Sequence, residues 1–263
     1  MTAFDVQWLR EVFLECDRVS KPVMGIADWD DAACIAFGNK RLVLSCDGPY
    51  KKRLVMKSAL IHAATDVIVK GARPLAALDT LSGSEKDVRE MAESLRAQAK
   101  AMRIPILGGN TNLNGTSMDV FGGEPLASIF VFGELLLDEP IRDSGGKKGD
   151  ALLLLGDSLW GEQDERFKKA KKLFSFWYSL LDDVNAGKVK INAAKDVTKG
   201  GLALTAKEIA DKSGRKLELY GIKIHKYRNL DNFLLATDKK SAGFITKAAA
   251  KAKCPCIEAG RLK

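Results

Sequence analysis

The stretch Asp143-Ser144-Gly145-Gly146-Lys147-Lys148-Gly149-Asp150 limits most strongly what this chain can become. It offers no apolar periodicity to bury, and each glycine loses more backbone freedom on folding than any other residue. No helix or strand is expected to cross it. The 263-residue chain must therefore build its cores on either side, over residues 1–148 and 149–263. Charge divides at the same place. Residues 1–148 hold 19 Lys+Arg and 20 Asp+Glu, a net of −1, whereas 149–263 hold 23 and 14, a net of +9. That basic excess admits three readings: a lysine-rich solvated face, an anionic metabolite, or nucleic acid.

Periodicity fills both halves with strands and helices. Val6, Leu9, Val12, Phe13 and Cys16 stripe a first helix from Asp5 to about Asp17. Strands follow at Ala32–Phe37 and Leu42–Cys46, joined by a Gly38-Asn39 turn. A helical stretch from about Lys52 to Lys70 ends at Gly71, and Leu75–Leu81 reads as a strand. Val88, Met91, Leu95 and Ala99 mark one face of an amphipathic helix over Glu85–Met102. Strands are expected at Ile104–Leu107 and Leu126–Leu136. Beyond the glycine break come a strand at Ala151–Leu155 and a lysine-rich helix at Glu165–Leu181. A helix opening at Gly200-Gly201 and a strand–helix–strand set over Phe233–Ala236, Ser241–Lys251 and Cys256–Ala259 complete the chain. The class is α/β or α+β.

The longest apolar runs, such as Ala151–Leu155, have strand length and are too short to span a bilayer. Asp5, Arg10 and Glu11 interrupt the N-terminus, so no signal peptide is expected and the location is read as cytoplasmic. Cys34 and Cys46 fall in apolar runs, as small buried hydrophobes do. Cys254-Pro255-Cys256 has no second pair or nearby histidine to complete a zinc site. A reducing compartment fits.

Acids stand where elements end. Asp30-Asp31 precede the Ala32 strand, Asp47 ends the Leu42 strand before Gly48, and Asp196 precedes Val197-Thr198-Lys199-Gly200-Gly201. Carboxylates at strand ends beside glycines suit magnesium, a hard cation that takes oxygen ligands. Asp47 and Asp196 equally fit turn or helix-cap positions. Asp66 is different, because it lies on an apolar helix among Ile61, Val67, Ile68 and Val69, where an unpartnered carboxylate is costly. His62, four residues earlier, can meet it across one turn. His225, between Lys223 and Lys226, reads as surface. Gly108-Gly109-Asn110-Thr111-Asn112-Leu113-Asn114-Gly115 reads as a loop whose backbone N–H groups can approach an anion. It has neither the Walker nor the dinucleotide spacing. Trp160, Phe174, Phe176 and Trp177 around lysines 168–172 fit either an amphipathic helix or aromatic–basic nucleic-acid contacts.

Taken in order, these segments resemble the aminoimidazole ribonucleotide synthetase superfamily. The resemblance is carried by Gly25-Ile26 with Asp30-Asp31-Ala32-Ala33, by Ser45-Cys46-Asp47, and by Ala64-Thr65-Asp66 through Lys70-Gly71-Ala72-Arg73-Pro74. Gly108-Gly109-Asn110-Thr111 and Lys195-Asp196-Val197-Thr198-Lys199-Gly200-Gly201 continue it. The superfamily includes thiamine-monophosphate kinase, selenophosphate synthetase, a hydrogenase maturation factor and formylglycinamidine ribonucleotide synthetase.

The resemblance implies an α+β protein of two α/β domains. Its N-terminal sheet would pair with a second copy into a dimeric barrel, with ATP in grooves at that homodimer interface. A mixed α/β sandwich would cover the cleft. Asp30, Asp31, Asp47, Asp66 and Asp196 would hold Mg2+ against the triphosphate, while Gly108, Gly109, Asn110, Thr111 and Lys70 would contact ATP. The implied chemistry is transfer of the γ-phosphate to a small anionic metabolite, nearest to the thiamine-monophosphate kinase type, which Gly156-Asp157-Ser158 also resembles. Three positions depart from the pattern: Trp29 replaces a glycine, Asn110 an acid and Lys199 an aspartate. They keep open a nucleotide-binding homologue without turnover. A nucleic-acid-binding protein is the less favoured alternative.

Overall fold

The computed structural model describes residues 7–113, 123–197, 199–221 and 230–263. Asp5, Val6, Asn114, Gly115, Thr198, Lys223, His225 and Lys226 lie outside them. After helix α1 (Gln7–Ser20), strands β1 (Ala33–Phe37) and β2 (Lys40–Lys51) form a hairpin through Gly38-Asn39. Gly38 takes φ +60 there, a conformation that glycine adopts without penalty. Helices α2 (Lys52–Val55) and α3 (Ala59–Val69) lead into β3 (Ala72–Gly83), α4 (Glu85–Met102), β4 (Ile106–Leu113) and β5 (Leu126–Leu135). The sheet order is β1-β2-β5-β3-β4, with β3 and β4 parallel and the other pairs antiparallel.

Two expectations change here. The helix expected over Lys52–Lys70 is broken at Met56-Lys57-Ser58. Gln98 of α4 explains the break: its Nε2 donates to the Val55 carbonyl at 2.7 Å and its Oε1 accepts from Leu60 N at 3.0 Å. Side-chain hydrogen bonds thus replace helical ones across the gap. The glycine stretch Gly108-Gly109-Asn110-Thr111 is not a loop but the exposed middle of β4. A Cβ on Gly109 would lie 2.1 Å from the Asp79 carbonyl oxygen, so strand packing alone demands a glycine there.

One face of this sheet buries Val43, Ile129, Val131 and Ala77 under α3. The opposite face carries the cross-strand row Cys46, Phe130 and Leu78, all exposed, so Cys46 is not the buried hydrophobe expected.

The second half contains β6 (Ala151–Leu155), α5 (Gln163–Asn185), β7 (Ala193–Asp196) and α6 (Gly201–Lys212). It continues with β8 (Leu217–Leu219), β9 (Phe233–Thr237), α7 (Lys239–Lys251) and β10 (Cys256–Leu262). Its sheet, β7-β9-β6-β10-β8, is antiparallel throughout. Leu153 and Leu155 face α5 and α7, whereas Leu152 and Leu154 face α6. Burial on both faces explains why β6 is apolar at every position. Phe174, Phe176 and Trp177 of α5 are core residues, which removes them from any nucleic-acid surface. Trp177 Nε1 donates to the Ile68 carbonyl at 2.7 Å, so the core of one half continues into the other. The glycine-rich stretch is itself anchored, since Asp143 and Asp150 are buried. Among the described residues no helix is long and apolar enough to cross a membrane.

Candidate metal and nucleotide site

Every residue of α3 is buried, because the helix lies between the first sheet and β7. That sandwich takes His62 and Asp66, one turn apart, into the interior. Asp66 Oδ2 accepts from Ser45 Oγ of β2 at 2.8 Å. Asp31, just before β1, and Asp196, at the end of β7, arrive from opposite sides. One carboxylate oxygen from each of Asp31, Asp66 and Asp196 lies within 4.8 Å of the other two. Burial raises the Asp66 pKa well above the usual aspartate range, and the charges of Asp196, Asp31 and Asp47 push it the same way. Asp196 is pushed up to about 7 by burial and Asp31, against the opposing pull of Lys195 and His62. Asp196 Oδ1 is buried without a hydrogen-bond partner. Converging oxygens, mutual repulsion and an orphaned acceptor fit a hard divalent cation.

A second cluster adjoins the first. His62 Nδ1 lies 2.6 Å from Asp231 Oδ1, and Nε2 lies 3.5 Å from Asp47 Oδ2. Burial opposes charge on the imidazole, but Asp231, with Asp47 and Asp196 behind it, raises the pKa to about 10. Asp231 takes φ +53, a strained backbone for a residue with a side chain. Asp47 also accepts from Gly48 N at 2.8 Å, the turn role its position allowed.

Lys70 and Asp30 sit elsewhere. Both side chains are fully buried and paired at 2.7 Å, and Lys70 also binds Asp143. Asp30 is raised to about 6 by burial, against the pull of Lys70. Asp143 is further paired with Lys212 at 2.9 Å and Lys195 at 3.3 Å. These three lysines outweigh its burial and hold its pKa well below the usual range. Lys195 binds Asp31 as well, joining this network to the trio. Asp28, the third acid of its segment, pairs with Arg142 and caps Gly25 N at 2.8 Å. The structure thus brings Asp31, Asp66 and Asp196 together, with Asp47 one imidazole away. It places Asp30 and Lys70 in an adjoining ion-pair network, linked to the trio through Lys195. Gly108–Thr111 lie on edge strand β4, three strands from β2.

The raised carboxyls carry a pH dependence. Their protonated forms are favoured in the fold, so their ionisation removes stability as pH rises. For Asp196 the loss runs from about 4 to about 7. For His62 it runs from about 6.5 to about 10, as its favoured charge is lost. In EDTA the melting temperature is expected to fall by about 5 °C or more between pH 5 and 9. Millimolar magnesium should recover most of the loss above pH 7. A flat profile, or one indifferent to magnesium, would contradict the crowding described above.

The family profile described as "AIR synthase related protein, N-terminal domain" matches residues 29–135. Its C-terminal counterpart matches residues 155–253. An uncharacterised protein of Methanocaldococcus jannaschii is 36% identical over 250 residues, covering 94% of this chain and 79% of that protein. A putative hydrogenase expression/formation protein of the same organism is 27% identical over 222 residues, covering 76% of this chain and 64% of that protein. Among solved structures, Thermotoga maritima PurL complexed with ADP aligns with a TM-score of 0.73 at 14% identity. That alignment covers 89% of this chain but 42% of the PurL chain, and at such identity it shows a shared fold.

Proposed function

Because the chain belongs to the AIR synthase-related family, we propose that it is a magnesium-dependent, ATP-using enzyme that transfers the γ-phosphate to a small anionic metabolite. The observation that carries this reading is the convergence of Asp31, Asp66 and Asp196 around the unpartnered Asp196 oxygen. These residues would hold magnesium, which supplies neutralisation of triphosphate charge during phosphoryl transfer. The chain's own residues set that geometry. Lys195 holds Asp31, Ser45 orients Asp66, and His62 gathers Asp47 and Asp231 from two parts of the fold. The PurL structures with ADP, AMPPCP and ATP support a nucleotide as the partner of such a site. Two of these relatives, a PurL and a putative hydrogenase expression/formation protein, differ in kind, so the proposed acceptor is a class of small anionic metabolite and not one compound.

The distance between Gly108–Thr111 and the acids supports a homodimer. Three strand spacings separate β2 from β4, about 14 Å. A second copy seated on the open face around Phe130 and Leu78 would bring glycine strands and acids from different chains to shared grooves. The dimer would have a mass twice 28.7 kDa, near 57 kDa by light scattering. Phe130→Asp is expected to give a monomer with at least about tenfold weaker ATP affinity, because a buried charge opposes association. A monomeric wild-type protein that binds ATP normally would contradict this arrangement.

Trp29 favours a second reading. It stands where the family pattern has glycine and takes φ +56, unusual for so bulky a residue. A protein that binds nucleotide without turnover would accommodate that change. Calorimetry with ATP, with and without magnesium, tests both readings: no magnesium-dependent binding would overturn them together. Phosphorus NMR of MgATP with a panel of phosphorylated and carboxylated metabolites separates them, since only the enzyme produces ADP stoichiometrically with a new phosphate ester or anhydride.

A further inference from the structure

Lys195 and Lys212 bring part of the second half's positive charge to the acidic site. Three further lysines line an open groove of about 850 Å³ between α5 and α7. Each helix lines the groove with a stripe at helical spacing. Lys172, Phe176, Leu180 and Asp183 run along α5, and Phe244, Lys247, Ala248 and Lys251 along α7. From Lys172 to Asp183 is about 16 Å, three turns of helix. The floor is apolar: Phe176 and Leu180 are buried beneath it, while Phe244 stands 38% exposed at its side. Small residues, Ser175 and Ser179 on one wall and Ala248 and Ala252 on the other, let a third backbone approach closely. Charge at the rim is one-sided. Lys247 and Lys251 have no carboxylate partner among the described residues, and Lys172 reaches Asp157 only at 3.9 Å. The one acid of the lining, Asp183, is already paired with Lys188 at 2.9 Å.

We infer that this groove docks an acidic amphipathic helix of a partner protein, about three turns long. Its apolar stripe would lie against Phe244 and between the small-residue walls, above the buried Phe176 and Leu180, and its carboxylates would meet Lys172, Lys247 and Lys251. The paired stripes, small-residue walls and apolar floor suit an α-helix in a groove. A nucleic acid would need exposed aromatic platforms along a basic track, whereas two of the three large apolar residues here are buried. The partner supplies the opposite charge that the rim lacks, which sets orientation and speeds encounter.

The probe is a fluorescein-labelled, capped peptide of about 14 residues, with leucines at i, i+3, i+4 and i+7 spacing and glutamates on its flanks. Fluorescence anisotropy against the full chain should show saturable binding that weakens about threefold or more between roughly 50 and 300 mM salt. Lys247→Glu/Lys251→Glu should reduce affinity at least about tenfold. Ala248→Trp, which fills the groove without changing charge, should do the same while the melting temperature stays near the wild-type value. A peptide with lysine in place of every glutamate should not bind. Absence of binding, equal binding of the lysine peptide, or indifference to both variants would overturn the proposal. So would tighter, Lys247- and Lys251-dependent binding of a single-stranded RNA of similar length.

Discussion

Asp196→Asn is expected to weaken magnesium binding at least about a hundredfold, with the loss of one of three charged ligands. The same change should raise the melting temperature of the metal-free protein by about 3 °C. The two effects have one origin. Asp196 is buried beside Asp31, and its pKa near 7 means that ionisation is opposed in the fold. Asparagine removes that repulsion and the orphaned charge while keeping the shape of the side chain. The attraction of Lys195 and His62 is lost as well, but the raised pKa shows that repulsion and burial prevail over it. A merely structural aspartate would behave in the opposite way, losing stability on substitution. Thermal melts in EDTA, paired with calorimetric magnesium titrations, separate the two cases. Lower stability together with unchanged metal affinity would remove Asp196 from the site.

Lys70→Met is expected to act on folding rather than on nucleotide affinity. Its ammonium is fully buried and binds Asp30, Asp143 and the Ala194 carbonyl, tying α3 to the segment before β6 and to β7. Methionine fills a similar volume but strands the buried Asp30 carboxylate, while Asp143 keeps Lys195 and Lys212, a loss of about 3–5 kcal/mol for a broken buried pair. Set against a typical total of about 5–15 kcal/mol, that leaves a marginal fold. Asp30→Asn added to Lys70→Met should recover part of the loss, since the stranded charge is then neutral. Urea denaturation provides the comparison. If Lys70→Met unfolds like the wild type yet loses ATP affinity, Lys70 has the nucleotide-binding role that its motif implied and the burial argument fails.

Local signals were legible where one short segment decides the outcome. Helix α4 runs over Glu85–Met102 as its stripe indicates, with Ser84 Oγ accepting from Asp87 N at 3.2 Å as its N-cap. Asp66 stood out because a charge in an apolar helix needs a partner, and its partner proved to be Ser45. The break at Met56–Ser58 was not legible, since Gln98 makes it from about forty positions away. Gly108–Thr111 resembled a loop by composition, whereas pairing with β3 and the closeness of Asp79 make it a strand. The burial of Asp143 was not legible, because the three lysines that pair with it come from distant segments. Asp231 was missed, although Asp231-Asn232 before β9 repeats the acid-before-strand pattern already seen at Asp30-Asp31. Its pairing with His62 depends on how the halves meet, which no single segment encodes.

Anomalous diffraction from crystals grown with manganese and a non-hydrolysable ATP analogue tests the account most directly, manganese standing in for magnesium at oxygen ligands. The expected result is a peak about 2.0–2.3 Å from carboxylate oxygens of Asp31, Asp66 and Asp196, beside the triphosphate. A nucleotide bound with no ion at these three residues, or an ion held by a different set of carboxylates, would contradict it.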